Sequence, residues 1–323
     1  MPRRQRAKKP RARGPEDTSA AGLDASERQQ DLMSGVQRQL EKLSADPLTP
    51  GLYVVSTPIG NLGDVSLRAL FTLAAADMVV CEDTRHSRKL FSAYGIGRKL
   101  ETYHDFSDER DRARILDALR EGKSVALISD AGTPLIADPG FKLVRAAVAE
   151  GFRVFPAPGA SALLPALVAS GLPSDQFFFA GFLPPKEAAK RKALESLRDI
   201  PGTLILYETG SRIEATLLAL SGVFPDRQIV LARELTKLHE DFVRGTAAML
   251  AREIKQNPPQ GELVLLIGPG EASPTQDADL EEALLKAMAR VTLKEAVEEV
   301  AKGLGAGKNR VYNLALKLKG PSS

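Results

Sequence analysis

The feature that most constrains the fold is an apolar strand followed at once by a turn rich in glycine and proline. Residues 124–129 read Ser-Val-Ala-Leu-Ile-Ser, a continuous run typical of a strand buried on both faces. Residues 129–140 then read SDAGTPLIADPG. Small-residue turns also follow two other predicted strands, at 57–64 and 157–162. Because the carboxyl ends of parallel strands meet at one edge of a sheet, we expect the three turns to line one crevice.

Predicted strands and helices alternate along most of the 323 residues, which favours the α/β class with a mostly parallel sheet. The elements form two series, so we predict α/β domains at 50–170 and 171–270. A linker and a helix-turn-helix-like domain are predicted at 271–323. Residues 1–49 contain few large apolar side chains, and we predict a disordered basic tail with a transient helix near 26–43.

Charge and cysteine content narrow the class of protein. The net charge is +3, but residues 1–13 and 300–323 contain basic residues and no acidic ones. Basic ends on an acidic body suggest contact with a polyanion, although solubilising tails have the same composition. The single cysteine, Cys81, excludes an internal disulfide and fits a reducing cytosol, so we expect a cytoplasmic protein. No apolar run approaches the ~18–20 residues that cross a bilayer, and no secretory signal is apparent.

Several common catalytic motifs are missing from the sequence. No GxGxxG follows a predicted strand, and GxxxxGK[ST], HExxH and GxSxG do not occur. The three histidines, His86, His104 and His239, are widely separated. We therefore predict no metal site and no standard dinucleotide or P-loop site.

Longer segments resemble a known family. They include YVVSTPIGNLGDVSLRAL (53–70), CEDTRHSRKL (81–90), SDAGTPLIADPG (129–140), PAPGASALLPALVASGLP (156–173) and ARELTKLHED (232–241). The chain resembles the class III S-adenosylmethionine-dependent methyltransferases, the tetrapyrrole methylase superfamily, and within it the branch that acts on small-subunit ribosomal RNA. The resemblance covers about residues 51–320.

The resemblance implies two α/β domains with S-adenosylmethionine in the cleft between them. It also implies 2′-O-methylation of a decoding-centre cytidine in 16S rRNA of the small ribosomal subunit, and a homodimer. By motif position, it implies contacts between the cofactor and Pro58, Ser129, Asp130, Ala131, Gly132, Thr133, Pro134, Leu135, Ile136, Ser161, Ala162, Glu208, Gly261, Glu262 and Leu263.

Methyl transfer to a ribose hydroxyl requires an in-line approach and loss of a proton, and it needs no metal. The candidate bases are Asp130, Glu82 and Asp83, although the last two also suit the N-terminus of a helix starting at Thr84. Arg85 is a candidate phosphate contact, as are four lysine or arginine residues further along the chain. These are Lys89, Lys237, Lys308 and Arg310.

Alternatives remain open for the charged segments and for the substrate. Lys237 lies on a charged run that fits either an RNA-facing rim or a solvated loop, and 308–319 fits either RNA binding or a packing hairpin. The same fold also serves methyltransferases of tetrapyrroles or other small molecules, and a non-catalytic RNA-binding assembly factor could retain the pocket. The basic ends and the helical appendix favour an RNA substrate.

Overall fold

The computed structural model describes residues 24–104, 109–270, 277–304 and 306–319. Within these residues, the first α/β domain is built on five parallel strands. They are β1 (Gly51–Val55), β2 (Met78–Cys81), β3 (Leu100–Thr102), β4 (Ser124–Ile128) and β5 (Val154–Ala157). Their order is β3-β2-β4-β1-β5. All of β4 is buried, as its continuous apolar sequence predicts.

Helices cover both faces of this sheet. The first helix, α1 (Ala25–Ser44), is followed by α2 (Leu67–Ala75), α3 (Thr84–Ala93), α4 (Glu109–Arg120) and α5 (Phe141–Ala149). Side chains of α2 and α3 form the core on one face, and side chains of α4 and α5 form the core on the other. The loops after β1, β4 and β5 therefore emerge together at the carboxyl edge of a sheet that is buried on both sides.

The segment in which the sequence predicts a transient helix, near 26–43, is helical in the structure. Residues 25–44 form α1, which begins with a capping box between Asp24 and Glu27 and packs against α2. One face of α1 has half-buried apolar side chains at Val36, Leu40 and Leu43. Their helical spacing lets this face pack on the domain surface, which stabilises the helix. The part of the predicted tail at 1–23 lies outside the described residues.

The second domain has a different sheet. Among the described residues its strands are β6 (Phe177–Phe182), β7 (Thr203–Thr209), β8 (Ile229–Arg233), β9 (Asp241–Gly245) and β10 (Glu262–Ile267), in the order β6-β7-β10-β8-β9. Only the β6–β7 pair is parallel, so the expectation of a mostly parallel sheet is wrong for this domain. Alternation of elements does not determine strand direction, and the short connection from β8 to β9 permits an antiparallel pair.

One face of the second sheet packs against helices, and the other faces the first domain. Helices α7 (Glu187–Ser196), α8 (Ile213–Val223) and α9 (Ala247–Gln256) cover the first face. Helix α6 (Leu163–Ser170) packs on the opposite face with residues of β7, β8 and β10. The face of the second sheet that packs against α6 is therefore also the face that lies toward the loops of the first domain.

The C-terminal helices form a separate small core. The helices α10 (Asp277–Met288), α11 (Leu293–Gly303) and α12 (Lys308–Lys319) pack around buried residues such as Leu284, Val297 and Val311. The predicted capping box is present, because Thr292 and Glu295 each accept a hydrogen bond from the other's backbone N–H. In the described ranges, every helix is too short or too polar to cross a membrane.

Candidate functional site

Hydrogen bonds join the three small-residue turns of the first domain. Thr57 and Gly132 pair through both backbone groups, with N···O distances of 2.8 and 3.0 Å. The Thr133 hydroxyl lies 2.9 Å from the Ser56 hydroxyl and donates to the Ala160 carbonyl at 3.1 Å. The turns after β1, β4 and β5 therefore form one surface, as their position after parallel strands predicts.

The loop after β4 has an unusual backbone. Gly132 and Gly140 have φ values of 80° and 121°, and Leu135 and Ala137 have positive φ values of 74° and 65°. Left-handed conformations are unfavourable for residues with a side chain and are concentrated at functional sites. A Cβ on Gly140 would lie 2.9 Å from Leu127 Cδ2, so the loop is packed closely on β4. Its path is fixed by packing and by the glycines.

A cleft between the two domains, here named the main cleft, lies against this loop. Together with the part open to solvent, it encloses about 920 Å³. The first domain contributes Ile59, Ala131, Gly132, Thr133, Ile136, Ala137, Asp138, Ser161 and Ala162. The second domain contributes Phe182, Tyr207, Ala232, Glu234, Leu235, Lys237, Glu262, Leu263 and Val264. Apolar walls with several carboxylates and hydroxyls suit a polar cofactor that carries a planar base.

Two ionisable groups of the main cleft are perturbed by their surroundings. Burial raises the pKa of the Asp138 carboxyl to about 6, and a hydrogen bond from Ser129 opposes the rise. Burial also raises the pKa of the Tyr207 hydroxyl, which interacts with Ser161. A carboxyl in a cleft whose pKa lies near neutrality is a candidate for proton transfer.

A second cleft, here named the side cleft, lies at the ends of β2, β3 and β4. It is lined by Glu82, Asp83, Thr84, Arg85, Thr102, His104 and Asp130. Asp130 accepts a hydrogen bond from the Asp83 N–H at 3.0 Å, and its other carboxylate oxygen lies 3.5 Å from His86 Nδ1. The structure thus brings the three predicted candidate bases together, but places them outside the main cleft.

Asp83 has a structural task. Its carboxylate accepts the Arg85 N–H at 2.8 Å as the N-cap of α3, and it also accepts hydrogen bonds from the Arg85 guanidinium. These hydrogen bonds hold the pKa of the Asp83 carboxyl well below its usual range. Such a carboxylate is a weak base, so helix capping explains this residue better than proton transfer does.

The loop between β8 and β9 crosses from the second domain to the first. Glu234 and Thr236 have positive φ values of 53° and 65°, and Lys237 pairs with Glu234 at 3.2 Å. A Cβ on Gly60 would lie 2.8 Å from Lys237 Cγ and 3.1 Å from the Leu235 carbonyl oxygen. Gly60 therefore allows the two domains to approach closely beside the main cleft. Lys237, predicted as an RNA contact, lines this cleft.

The predicted cofactor residues fall into two groups. Those that line the main cleft are Ala131, Gly132, Thr133, Ile136, Ser161, Ala162, Glu262 and Leu263. Those outside its lining are Pro58, Ser129, Asp130, Pro134, Leu135, Glu208 and Gly261. Of the second group, Ser129 still acts on the cleft through its hydrogen bond to Asp138, and Leu135 packs near Gly140 behind the loop.

Glu208 lies on the face of β7 that is opposite the main cleft. Its side chain is fully buried, and it accepts hydrogen bonds from the Thr216 hydroxyl at 2.6 Å and the Thr209 N–H at 3.0 Å. Arg212 pairs with it at 3.2 Å, and Lys190 donates to Thr216 at 3.0 Å. Because side chains alternate along a strand, Tyr207 faces the cleft and Glu208 faces the helices. The expectation that Glu208 approaches the cofactor is therefore corrected.

The predicted RNA-binding side chains occupy exposed positions. Arg85 and Lys89 are on α3, and Lys308 and Arg310 are in the first turn of α12. Arg85 pairs with Asp83, and Lys308 lies 3.0 Å from Glu298. Within the part of the chain that the structure describes, no group of three or more His, Cys, Asp or Glu residues is arranged to hold a metal ion.

Sequence reasoning missed most of the second-domain wall. Tyr207 belongs to the apolar run TLILYET, which reads as an ordinary strand, and Phe182 and Val264 also lie in apolar strands. Asp138 lies inside the motif SDAGTPLIADPG, and its position in that motif was the available signal. Its burial depends on long-range packing and has no local sequence pattern.

Comparison with known sequences gives consistent matches over most of the chain. A family model described as Tetrapyrrole (Corrin/Porphyrin) Methylases matches residues 51–251, and one described as RsmI C-terminal HTH domain matches 274–319. A relative from Mesorhizobium japonicum, named Ribosomal RNA small subunit methyltransferase I, is 47% identical over 87% of this chain and 96% of its own. A relative of the same name from Erythrobacter litoralis is 49% identical over 85% of this chain and 98% of its own.

Solved structures share the fold at lower identity. The cobalamin biosynthetic enzyme cobalt precorrin-4 methyltransferase CbiF matches with a TM-score of 0.52 and 21% identity, over 67% of this chain and 94% of its own. Diphthine synthase matches with a TM-score of 0.54 and 16% identity, over 68% of this chain and 89% of its own. These likenesses establish the architecture of the two α/β domains.

Proposed function

The chain belongs to the ribosomal RNA small subunit methyltransferase I family of tetrapyrrole methylases, and from this premise we propose that it methylates the ribose 2′-oxygen of a decoding-centre cytidine in 16S rRNA. Its methyl donor is S-adenosylmethionine, which supplies a methyl group activated by the sulfonium when bound. The observation that carries the proposal is the main cleft between two tetrapyrrole-methylase domains, with a second, polar cleft beside it.

The chemistry of the residues that line the main cleft fits the methyl donor. The loop after β4 exposes backbone groups and has the small residues Ala131 and Gly132, which allow a ligand to approach the backbone. Ser161 and the carboxylates of the cleft provide partners for hydroxyl and ammonium groups. Ile59, Leu235 and Val264 provide apolar surface for a planar base. We therefore assign the cofactor to residues of both walls.

The side cleft is the proposed entry for the acceptor nucleotide. It opens beside Asp130, which lies in the loop after β4 immediately before Ala131 of the main cleft. Arg85 extends from its rim, with its side chain 83% exposed, and can contact an RNA phosphate while remaining paired with Asp83. Glu82 and Asp130 offer carboxylate oxygens, which accept hydrogen bonds from the exocyclic amine of cytosine. We propose that these residues position the acceptor, with Lys89 as a further phosphate contact.

The C-terminal helices are proposed to add affinity for RNA. Lys308 and Arg310 lie in the first turn of α12, and Lys317 and Lys319 lie in its last turn. The helix therefore has two basic side chains at each end. Contacts of this kind to phosphates give salt-dependent binding without reading sequence. The substrate in this proposal is 16S rRNA within the small ribosomal subunit, which implies a cytoplasmic location, and the homodimer implied by the family resemblance remains a prediction.

The proposal is tested by mapping the methyl group. Purified protein is incubated with S-adenosylmethionine labelled on the methyl group and with small ribosomal subunits that lack native methylation. The expected product carries the label on the ribose of one decoding-centre cytidine, identified by nuclease digestion and mass spectrometry. Label on a base, or on a nucleotide elsewhere, would refute the assigned target; label only on a small molecule would favour the tetrapyrrole-like alternative.

A further inference from the structure

One carboxylate of the main cleft interacts with acidic groups of the side cleft. Asp138 lines the main cleft. The charges of Glu82 and Asp130, which line the side cleft, raise the pKa of the Asp138 carboxyl. Under the function proposed above, the donor occupies the main cleft and the acceptor enters by the side cleft. Asp138 is then the carboxylate that lines the donor site and interacts with groups of the acceptor site.

Three of the other acidic groups of the two clefts have partners that limit their use as bases. Asp83 caps α3 and binds Arg85, and Glu234 pairs with Lys237. Asp130 accepts a hydrogen bond from the backbone of Asp83 and faces His86. Among the residues that the structure describes, no Lys, Arg or His lies within ion-pair distance of Asp138, which interacts with the Ser129 hydroxyl.

The backbone around Asp138 is constrained. Ala137, the preceding residue, has a φ of 65°, and Leu135 has a φ of 74°. Pro139 and then Gly140, whose φ is 121°, follow. Left-handed conformations at two residues with side chains cost on the order of 1–2 kcal/mol each and persist only where surrounding contacts enforce them. This constraint fixes the backbone path on both sides of Asp138.

We propose that Asp138 is the general base of the methyl transfer. The ribose 2′-oxygen forms a bond to the methyl carbon while the carbon–sulfur bond breaks, and the electron pair of that bond stays on sulfur. The hydroxyl proton moves to the Asp138 carboxylate, so the products are the methylated ribose, S-adenosylhomocysteine and the protonated carboxyl. This role rests on the proposed 2′-O-methylation.

The electrostatic environment agrees with this role. Besides burial, the carboxylates of Glu82, Glu262 and Asp130 raise the pKa of Asp138, whose value is about 6. The Tyr207 hydroxyl also faces this group, and Glu234 and Lys237 lie on the opposite wall of the cleft. A base with a pKa near the working pH is ionised at neutrality and still accepts a proton effectively. The rate of methyl transfer should therefore fall as the pH is lowered through about 6.

The experiment compares Asp138→Asn with two matched variants, Asp130→Asn and Glu262→Gln, by single-turnover methylation of small subunits across a range of pH. The Asp138→Asn variant is expected to lose about 10²–10⁴-fold in rate and to lose the fall in rate near pH 6. Its affinity for S-adenosylhomocysteine, measured by calorimetry, should stay within about threefold of the wild type because the amide has the same shape. The two matched variants should keep a fall in rate, but at a lower pH than the wild type, because each removes a carboxylate that raises the pKa of Asp138.

A measurement on the protein without ligand tests the burial of this carboxyl independently. The folded pKa of about 6 exceeds the unfolded value of 3.8, so ionisation of Asp138 destabilises the fold. That destabilisation is fully present above about pH 6 and disappears as the pH falls toward about 4. Asp138→Asn should therefore melt at a higher temperature than the wild type at about pH 8, and the difference should vanish near pH 4.

The outcomes separate this inference from the proposed function. If the wild type places the label on a ribose, but Asp138→Asn keeps its rate within about threefold or keeps its pH profile, Asp138 is not the base and the proposed function stands. If the profile is lost in Asp130→Asn instead, the base belongs to the side cleft. If the wild-type label lies on a base, the proposed function fails, whatever the variants do. Equal melting temperatures at both pH values would contradict the burial of an ionised Asp138.

Discussion

The two walls of the main cleft are built in different ways. The first domain contributes loops at the carboxyl edge of a parallel sheet, and their small residues present backbone groups. The second domain contributes the faces of strands in a mostly antiparallel sheet, and these present side chains such as Tyr207 and Val264. The difference implies that glycine and proline geometry controls one wall, whereas strand alternation controls the other.

The contrast is sharpest at two adjacent residues of β7. Tyr207 faces the cleft, and Glu208 belongs to a buried network with Thr216, Arg212 and Lys190 on the helix-covered side. Substitutions at one residue should therefore change ligand binding, and substitutions at the next should change stability. In the loop wall we expect no such separation, because the backbone that folds the loop is also the proposed contact with the ligand.

The largest effect is expected for Glu208→Ala. Removal of this carboxylate leaves the buried Lys190–Thr216 pair and Arg212 without their anionic partner, which typically costs about 3–5 kcal/mol of the free energy of unfolding. Urea denaturation would measure the loss. The matched control is Glu214→Ala, which removes an exposed carboxylate 3.4 Å from Lys255 and should cost less than about 1 kcal/mol. Equal losses for the two variants would contradict the buried network.

The next effect tests the loop wall. Gly132→Ala places a side chain on a residue with φ 80°, and its Cβ would lie 3.3 Å from Ile59 Cγ2. The left-handed backbone costs about 1–2 kcal/mol of folding stability. The added side chain also stands on the loop backbone that lines the main cleft, so affinity for S-adenosylhomocysteine should fall about tenfold.

The matched control for this variant is Gly122→Ala. Gly122 has a φ of 77°, and a Cβ added there would have no atom within 4 Å. It should lose similar stability through the same backbone strain while keeping cofactor affinity. Calorimetry distinguishes the two. Unchanged affinity in Gly132→Ala would show that the loop backbone does not approach the ligand.

The smallest effect concerns the C-terminal helices, which contribute to neither wall. Replacing Lys308 and Arg310 together with Ala should reduce the slope of log affinity for RNA against log salt concentration by about 1–2, and weaken binding a few-fold at physiological salt. Cofactor affinity should stay the same, because both residues lie on α12. Lys286→Ala on α10 is a control for general charge loss. A slope that changes no more than in Lys286→Ala would count against RNA binding by α12.

The two walls also explain how far the sequence could predict the site. Gly132, Gly140 and the prolines between β4 and α5 give a strong local pattern because unusual backbone angles demand particular residues. Tyr207 and Val264 give no such signal, since a strand that lines a cleft and a strand in a core have the same apolar composition. The antiparallel pairing of β8 with β9 and β10 could not be predicted either, because the hydrophobic periodicity of a strand is the same in parallel and antiparallel sheets.

Asp138 shows a further limit of the sequence. Its presence in the loop was visible, but its altered pKa depends on burial and on Glu262, which is more than a hundred residues away along the chain. Asp83 shows the converse, because its helix-capping role follows from its position just before α3. Local roles could therefore be predicted, whereas roles created by contacts between domains could not.

A crystal structure of the protein with S-adenosylhomocysteine would test most directly whether one cleft with two kinds of wall holds the methyl donor. The ligand is expected in the main cleft, in contact with the backbone of residues 131–133 on one side and with side chains of β7 and β10 on the other. A ligand bound in the side cleft, among Glu82, His104 and Asp130, or a ligand in the main cleft that contacts only one wall, would contradict this account.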